Sequence, residues 1–310
     1  MAYNCLHTDS DIEARAFSDE VTTLTSRVFR PAREFSSLVL SLNARMAADG
    51  CVLLEVQVCA DNAWSPFFKL GLLSPHIYTS FPPQTNNFGE VKIDELILSR
   101  PAQAYRYRVK LYGEAELLLV SASATEAPFA CEPSLACALP IGERKITIFP
   151  CSQLLQNLPD KHRICSPTSV YMALKSLGFS ATLEKILDRV YDQKNDIYGN
   201  WLFNVAGASS FGAQSFFRRF SALKELDEFV TPHSLVVASI AFEKGELTGA
   251  PQERTSGHLV VVHGWENGRV LVADPASGTE QDVLRSYNAK EFADVWLRNH
   301  GGASYIVRIK

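Results

Sequence analysis

The chain has 310 residues, of which 46% are hydrophobic and 21% charged, a balance typical of globular proteins and unlike that of disordered or fibrous ones. Because a single core rarely grows beyond about 250–300 residues, this length predicts two domains. Thirty basic and 34 acidic residues give a formal net charge of −4. Since neither the basic nor the acidic residues form a long block, nucleic acid is not an expected partner.

The N-terminal residues carry acids where a secretory signal needs a basic stretch and an apolar run. No apolar run approaches the ~20 residues that cross a bilayer. The cysteines lie at positions 5, 51, 59, 131, 137, 151 and 165. Their odd number and the lack of a C-x-x-C pair favour free thiols over a disulfide framework or a zinc site. We therefore expect a cytoplasmic protein with no membrane span, and leaderless secretion stays open.

Residues 1–15 are polar and are interpreted as an N-terminal tail. From 16 to 124 the hydrophobic residues alternate with period two, and turn formers separate the runs. In Tyr105–Leu111 the odd positions are apolar or aromatic and the even ones basic, and Leu54–Val58 and Ile93–Leu98 follow similar patterns. This pattern predicts an antiparallel β-sandwich.

Residues 125–144, rich in Ala, Ser and Pro, are predicted to form a linker. From 145 to 310 the pattern predicts a second domain with helices packed on an antiparallel sheet, so the fold class is α+β. The best-marked helix has Pro167 in its first turn and Gly178 at its C-terminal cap. The predicted helices are Ser166–Leu177, Leu183–Val190 and Leu223–Val230, and the predicted strands are Lys145–Phe149, Val236–Phe242, His258–Trp265 and Arg269–Asp274.

Cys165 stands at the start of this helix, where unpaired N–H groups and the helix dipole stabilise a thiolate. The alternative is a buried structural cysteine. A thiolate mechanism also needs a base and a group that orients the base. His258, which opens an apolar strand, is the candidate base. Asp274, which ends the next strand, is the candidate orienting group because a buried carboxylate needs a polar partner. His263 has the opposite side-chain parity to His258 and is interpreted as a packed structural residue.

Asn267-Gly268 is a strong signal for a two-residue hairpin loop between these strands. In an uninterrupted hairpin of this kind, His258 and Asp274 would point to opposite faces of the sheet. A β-bulge or a longer loop changes the parity and brings the two side chains to the same face. We therefore predict a bulge or a longer loop, and the assignment of Asp274 depends on it.

Acyl transfer by a thiolate also needs donors for the developing oxyanion. The backbone N–H of Cys165 is one such donor. The side-chain amide of Gln153, upstream of the nucleophile, is the candidate second donor, and Gln156 is its rival. The alternative for either glutamine is a solvated loop residue.

Four motifs occur in order along the second half: Phe149-Pro150-Cys151-Ser152-Gln153, Ile164-Cys165-Ser166-Pro167-Thr168-Ser169, Gly257-His258-Leu259-Val260-Val261-Val262 and Ala273-Asp274-Pro275. Together they resemble the bacteriocin leader-peptidase-like (double-glycine peptidase-like) group of papain-like cysteine peptidases. The first half is similar to the β-sandwich that stand-alone bacterial members carry ahead of the peptidase domain. The resemblance covers nearly the whole chain.

The resemblance implies a papain-like fold with Cys165 as nucleophile, His258 as base, Asp274 as orienting residue and Gln153 at the oxyanion hole. The local patterns indicate the same four residues. Ser166 departs from the family, which usually has Gly after the cysteine. A side chain at this position is expected either to narrow the cleft or to add a hydroxyl near the oxyanion.

We therefore predict a cysteine peptidase that hydrolyses peptide or related amide bonds through a thioester, with a peptide or protein as substrate. Acyl transfer to an amine, as in transpeptidation or γ-glutamyl transfer, stays open because it needs only a different second nucleophile. No cofactor or metal is expected, since the sequence has neither a glycine-rich phosphate loop nor a ligand cluster.

An alternative of another class is a non-catalytic binding protein with a degenerate peptidase domain, in which the β-sandwich binds a glycan or a protein. Trp64, Phe67, Tyr78 and Phe81 motivate this alternative if they are exposed. Aromatic residues in a sandwich more often belong to the core.

Overall fold

A computed structural model describes residues 2–18, 20–126 and 137–310. The described residues form two compact units, 2–126 with Asp188–Ser210, and 137–187 with Phe211–Lys310. The fold is α+β, built mostly of antiparallel strands with few helices. Cys131 and residues 127–136 of the predicted linker lie outside the described residues. Within the described ranges, no helix has the length and apolar character needed to cross a membrane.

The strands of the first unit form two antiparallel sheets. They are β1 (Ala2–His7), β2 (Ile12–Ser18), β3 (Val21–Ser26), β4 (Phe35–Met46), β5 (Cys51–Ala60), β6 (Ala63–Trp64), β7 (Phe68–Leu73), β8 (Tyr78–Thr79), β9 (Gln84–Asn86), β10 (Gly89–Lys92), β11 (Glu95–Ala102), β12 (Ala104–Tyr112) and β13 (Ala115–Thr125). Sheet 1 has the order β1-β13-β4-β11-β10-β9. Sheet 2 has the order β2-β3-β12-β5-β7-β8, with β6 beside β5.

The alternation predicted for β12 is confirmed, because Tyr105, Tyr107 and Val109 are fully buried while the residues between them are partly exposed. The rings of Phe35 in sheet 1 and Tyr105 in sheet 2 meet edge to face, with centroids 6.0 Å apart. Aromatic residues therefore join the two sheets, and their arrangement as a sandwich stays a prediction.

The N-terminal tail is a prediction that the structure corrects. Residues 2–7 form β1, which pairs with β13 from Ala2 opposite Thr125 to His7 opposite Val120. The ring of His7 is buried and its Nε2 lies 3.0 Å from the hydroxyl of Tyr105. Backbone pairing at a sheet edge tolerates polar side chains, so composition alone did not reveal this strand.

The second unit holds a third antiparallel sheet. Its strands are β14 (Arg144–Lys145), β15 (Gln214–Arg219), β16 (Ser234–Phe242), β17 (Thr255–Glu266), β18 (Arg269–Ala273), β19 (Leu284–Asn288) and β20 (Ala303–Arg308). The order is β15-β20-β16-β17-β18-β19, with β14 beside β17. The strands predicted here from period and turn signals are confirmed, except that the first is limited to β14.

The α-helices are α1 (Cys165–Ser176), α2 (Leu183–Val190), α3 (Trp201–Ser209), α4 (Leu226–Phe229) and α5 (Ala289–Ala293). Shorter helical turns are Asp9–Asp11, Leu223–Glu225, Gln281–Val283 and the π-helical turn Asp294–Arg298. The first two predicted helices are confirmed as α1 and α2. The third is divided between the turn at Leu223 and α4. Gly178 follows α1 with φ +86°, a left-handed conformation that glycine adopts without strain.

Helix α3 has no counterpart among the predicted helices. All but its first residue are buried, so it lacks the polar face that produces a helical stripe in the sequence. The side chain of Asn200 caps it by accepting a hydrogen bond from the N–H of Phe203, 3.1 Å away. This helix belongs to the first unit, although the sequence analysis placed the segment in the C-terminal domain.

Several side chains hold α3 and its preceding segment within the first unit. The carboxylate of Asp94 accepts a hydrogen bond from the N–H of Trp201. The hydroxyl of Ser80 donates to Asp192 over 2.6 Å. A Cβ atom at Gly71 would lie 2.7 Å from Cδ2 of Leu202, so a larger residue on β7 would force this leucine side chain to shift.

Candidate active site

Cys165 is the first residue of α1, as the sequence predicts. The helix packs on β17, and the hydroxyl of Ser169 donates to the carbonyl of Leu259 over 2.9 Å. The first N–H groups of a helix have no partner within the helix, and their dipoles point toward its N-terminus. The half-buried thiol of Cys165 therefore lies where an anion is favoured, next to the strand that carries His258.

The hairpin between β17 and β18 contains the β-bulge that the candidate site requires. Asn267 and Gly268 form a two-residue loop, with φ of 50° and 73°. Gly264 pairs with Leu271, whereas Val262 pairs with Val272, so His263 is the extra residue on β17. The predicted bulge is confirmed, and it changes the parity of the strand before His263.

With this parity His258 and Asp274 face each other. The Nε2 atom of His258 lies 2.7 Å from Oδ1 of Asp274, and both side chains are buried. Because Nε2 is used in this contact, Nδ1 is the ring nitrogen left for Cys165. Asp274 Oδ1 also accepts from the N–H of Ala276 over 3.0 Å, and Oδ2 accepts from the hydroxyl of Tyr287 over 2.7 Å.

Cys165 and His258 have pKa values suited to an ion pair. Burial raises the pKa of Cys165, but a hydrogen bond with His258, the charge of His258 and the N–H groups of Leu259 and Ser166 lower it to below its ordinary value. Burial lowers the pKa of His258, but the charge of Asp274 and hydrogen bonds with Asp274 and Cys165 raise it to about 10. The arrangement therefore favours a thiolate beside an imidazolium.

Asp274 itself stays ionised. Burial raises the pKa of its carboxyl, but the charge and hydrogen bond of His258, followed by the bonds from Tyr287 and Ala276, lower it below its ordinary value. A buried carboxylate with three donors and a cationic neighbour can keep its charge in this environment.

Tyr287 is a member of this cluster that the sequence analysis missed. It lies on β19, is fully buried, and its hydroxyl donates to Asp274. A buried carboxylate has more lone pairs than one histidine can satisfy, and a buried tyrosine hydroxyl needs a partner. These two requirements were the available signal, but the strand Leu284–Asn288 was not predicted.

His263 does not join the cluster. Its Nδ1 lies 2.9 Å from the carbonyl of Ile146, and the N–H of Ile146 donates to the carbonyl of His263. Burial lowers the pKa of this imidazole, which favours the neutral form. These contacts agree with its interpretation as a packed structural residue.

The two candidate oxyanion donors differ in whether a side-chain amide hydrogen is without an acceptor. Gln153 is buried, its N–H donates to the carbonyl of Pro275, and Nε2 donates to the carbonyl of Lys161 over 2.8 Å. Its second amide hydrogen has no acceptor among the described residues. The amide of Gln156 donates to the carbonyl of Ser152 over 2.8 Å and lies 3.6 Å from the sulfur of Cys151. Gln153 therefore keeps one amide hydrogen without an acceptor among the described residues, whereas Gln156 has two contacts for its amide nitrogen.

Ser166 is oriented away from the solvent. It is buried, and its Oγ lies 3.1 Å from the hydroxyl of Tyr305 on β20. Its hydroxyl is thus engaged inside the domain. This contact explains how a side chain is accommodated directly after the cysteine. Across the described ranges, no group of three His, Cys, Asp or Glu side chains is arranged to hold a metal ion.

Comparisons with known protein families give a match for each half of the chain. The sequence profile of the Peptidase C39 like family matches residues 145–304. A second profile, named Peptidase C39 N-terminal domain, matches residues 4–123. A search of curated proteins found no match.

Two solved structures show limited similarity. The crystal structure of a C39-like peptidase from Bacillus anthracis has 16% identity and a TM-score of 0.41, covering 55% of this chain and 98% of that one. A glycosylation-associated protein (Gap123) complex from Streptococcus agalactiae has 8% identity and a TM-score of 0.22, covering 40% of this chain and 26% of that one.

Proposed function

The chain belongs to the Peptidase C39 like family, and we propose that it is a cysteine peptidase that cleaves peptide bonds with Cys165 as nucleophile. The family match confirms the resemblance drawn from the sequence motifs. The observation that carries the proposal is the chain of contacts from the thiol at the start of α1 to His258 and from His258 to Asp274 over 2.7 Å. We further propose a papain-like fold for the second unit.

In the first half of the proposed reaction, the thiolate of Cys165 attacks the carbonyl carbon of the scissile bond and forms a carbon–sulfur bond. The carbonyl electrons move to oxygen and produce a tetrahedral oxyanion. When this intermediate collapses, the carbon–nitrogen bond breaks and the imidazolium of His258 gives its proton to the leaving amine. The products of this half are a free amine and a thioester on Cys165.

In the second half, neutral His258 takes a proton from water, and the hydroxide attacks the thioester carbonyl. The carbon–sulfur bond then breaks, which releases the carboxylic acid product and restores the thiolate. Asp274 keeps its negative charge throughout and stabilises the imidazolium. Tyr287 acts as a positioning residue, because it holds the carboxylate that orients His258.

The proposed oxyanion hole combines the backbone N–H of Cys165 with the free amide hydrogen of Gln153. The backbone contact of Gln153 with Pro275 and its side-chain contact with Lys161 fix the amide before substrate binds. Such preorganised donors stabilise charge that develops only in the transition state.

Alkylation by iodoacetamide tests the nucleophile without knowledge of the substrate. We expect Cys165 to be labelled at pH 6, and the rate to fall by about tenfold or more in His258→Ala, because the thiolate loses its cationic partner. Cys5 and Cys51 serve as internal controls, since burial raises the pKa of both thiols. Mass spectrometry of the labelled peptides gives the rate at each cysteine. Equal, slow labelling of Cys165 and Cys51 contradicts the proposal.

Turnover is then tested with a peptide library, comparing the wild type with Cys165→Ala. We expect cleavage only by the wild type, with new carboxyl termini detected by mass spectrometry. Absence of cleavage together with selective labelling of Cys165 would mean that the library lacks the substrate. Absence of both would favour the non-catalytic alternative.

A further inference from the structure

The outer face of sheet 2 carries a row of cations that the proposed chemistry does not use. Arg106, Arg108 and Lys110 alternate along β12 with residues that are fully or nearly fully buried, so all three point to the same, outward side. Neighbouring side chains on one side of a strand are about 6.7 Å apart. The chain thus presents three positive charges at a regular interval.

Both arginines of the row are fixed in place by their neighbours. The Nε of Arg106 donates to Gln57 over 2.5 Å, and the amide of Gln57 is in turn held by the carbonyl of Ser65. The Nε of Arg108 donates over 2.6 Å to Glu55, whose side chain is only 3% exposed. These contacts remove much of the conformational entropy that a free arginine would lose on binding a ligand.

Aromatic rings complete this arrangement. The guanidinium of Arg106 lies 4.9 Å from the ring centroid of Trp64, and that of Arg108 lies 3.9 Å from the ring of Phe67. Both rings are partly exposed, whereas Tyr78 is buried. One face of each ring is therefore already covered, and a sugar that stacked there would have to displace the guanidinium.

The groups left for a ligand are the terminal nitrogens of the two guanidinium groups. Within the described ranges, the Nη atoms of Arg106 and Arg108 make no hydrogen bond, because each arginine uses only Nε. The two Nη atoms of a guanidinium match the two oxygens of a carboxylate. Of the three cations, Arg108 and Lys110 pair with Glu55 and Arg106 forms no ion pair within the described residues, so the face is basic.

From this geometry we propose that the outer face of sheet 2 binds an extended acidic polypeptide, with carboxylate side chains two residues apart. In an extended peptide, side chains at positions i and i+2 point to one side at the same interval as the cations of β12. We choose a polypeptide over an anionic polysaccharide because the intervals match and because the aromatic rings are already covered by guanidinium groups. This choice rests in part on the proposed peptidase function.

Binding is tested with the full chain carrying Cys165→Ala, so that no turnover interferes. The probe is a fluorescent ten-residue peptide of alternating Glu and Thr, and the readout is fluorescence anisotropy. A control peptide of the same composition, with Glu at positions 1, 2, 5, 6 and 9, has the same charge but no two Glu that are two residues apart. We expect the alternating peptide to bind at least about fivefold more tightly than the control peptide, and both to weaken with added salt.

Arg106→Gln is the informative variant, because it leaves no buried charge behind. We expect its Kd for the alternating peptide to rise about tenfold, and Arg106→Lys to recover only part of this loss because lysine lacks the planar fork. The matched control is Arg45→Gln, which removes an exposed arginine of sheet 1 that pairs with Glu116. Arg108→Gln combined with Glu55→Gln tests the second arginine without leaving an unpaired buried acid.

Equal binding by Arg106→Gln, Arg45→Gln and the parent protein overturns the proposal. Tighter binding of hyaluronan than of the alternating peptide also overturns it and assigns the face to an anionic glycan. The labelling of Cys165 is measured separately on the wild-type chain, which keeps the cysteine, so the failure of this proposal is distinguishable from failure of the peptidase assignment.

Discussion

Two buried aspartates, one in each unit, lie in opposite electrostatic surroundings. Asp274 of the second unit faces His258 and is bonded by Tyr287, and these contacts lower the pKa of its carboxyl despite burial. Asp94 of the first unit faces the N-terminus of α3. Burial raises the pKa of Asp94 to about 7, the charge of Glu95 adds to this, and the N–H groups of Trp201 and Leu202 only partly offset it.

The difference shows what each site is suited to do. Backbone N–H groups alone leave the carboxyl of Asp94 only partly ionised at neutral pH, because its pKa is about 7, whereas a cationic partner and a phenol keep Asp274 ionised. A permanently ionised carboxylate can hold an imidazolium in place during catalysis. A carboxyl that gains and loses its proton near pH 7 serves instead as a helix cap whose strength depends on pH.

The largest expected effect comes from Asp274→Asn, which removes the negative charge but keeps the shape. We expect kcat/KM to fall by about 10³-fold or more, because the imidazolium loses its stabilising partner. Since Asp274 raises the pKa of His258, the alkaline limb of the pH–rate profile lies near the value of about 10 in the wild type and moves to lower pH in the variant. Steady-state kinetics across pH 5–11 measure both effects. An unchanged alkaline limb contradicts the assignment.

Asp94→Asn tests the other side of the comparison. The folded pKa of Asp94 lies above its ordinary value of 3.8, so the folded state binds more protons than the unfolded state between pH 4 and 7. Stability is therefore lost as pH rises through this window, by up to about 4 kcal/mol. We expect the free energy of unfolding of the wild type to fall between pH 4 and 7 relative to that of Asp94→Asn, in which residue 94 does not titrate. Urea unfolding at pH 4, 5.5 and 7 measures the difference, and parallel curves for the two proteins contradict it.

The same unfolding series on Asp274→Asn sharpens the contrast. The folded pKa of Asp274 is below its ordinary value, so its contribution is present above pH 4 and is lost only as pH falls further. The folded pKa of His258 is raised, so its contribution is present below about 6.5 and is lost as pH rises toward 10. Between pH 4 and 6 we expect Asp274→Asn to be destabilised by an amount that hardly changes with pH.

Tyr287→Phe is expected to have a smaller effect than either aspartate variant. It removes one hydrogen bond to Asp274 and costs about 1–3 kcal/mol of stability. We expect kcat to fall by about tenfold with little change in KM, and the pKa of His258 to move, since the carboxylate is held less firmly. A proton NMR titration of His258 and steady-state kinetics measure these effects. Loss of stability without any change in the titration would indicate a purely structural role.

Ser166→Gly gives the smallest expected effect on activity. It removes the contact with Tyr305 and introduces glycine into the first turn of α1, which together cost about 1–2 kcal/mol. Because the hydroxyl is engaged inside the domain, we expect kcat/KM to change by less than about threefold. Tyr305→Phe is the matched control for the hydrogen bond. A large gain in activity would mean that the hydroxyl acts in the cleft.

Local sequence signals were sufficient for the elements that carry the candidate site. The start of α1 at Cys165 and its end before Gly178 follow from capping and helix-breaking residues. A bulge or a longer loop in the β17–β18 hairpin followed from a parity argument, because His258 and Asp274 cannot meet without one, and the structure places the bulge at His263. Such arguments succeed when short-range rules fix the geometry and one long-range contact selects among the few remaining registers.

Other parts of the molecule depend on contacts between distant segments. The pairing register of β19 places Tyr287 next to Asp274, and no turn motif in the sequence predicts this strand. Helix α3 is buried almost all round, so its sequence carries no amphipathic stripe. Its assignment to the first unit rests on Asp94 and Gly71, which lie more than 100 residues earlier in the chain. A single sequence does not encode such pairings in a local pattern.

The position of α3 also has a consequence for the order in which the protein forms during synthesis. The strands of the first unit end at Thr125, but the helix that packs against them ends only at Ser209. A ribosome must therefore make more than 80 further residues, including Cys165, before the first unit can be completed. We expect nascent chains released before residue 200 to expose the surface of β4 and β7 that α3 covers, and to be sensitive to protease there. Cys165, the proposed nucleophile, would thus leave the ribosome before the N-terminal unit is finished.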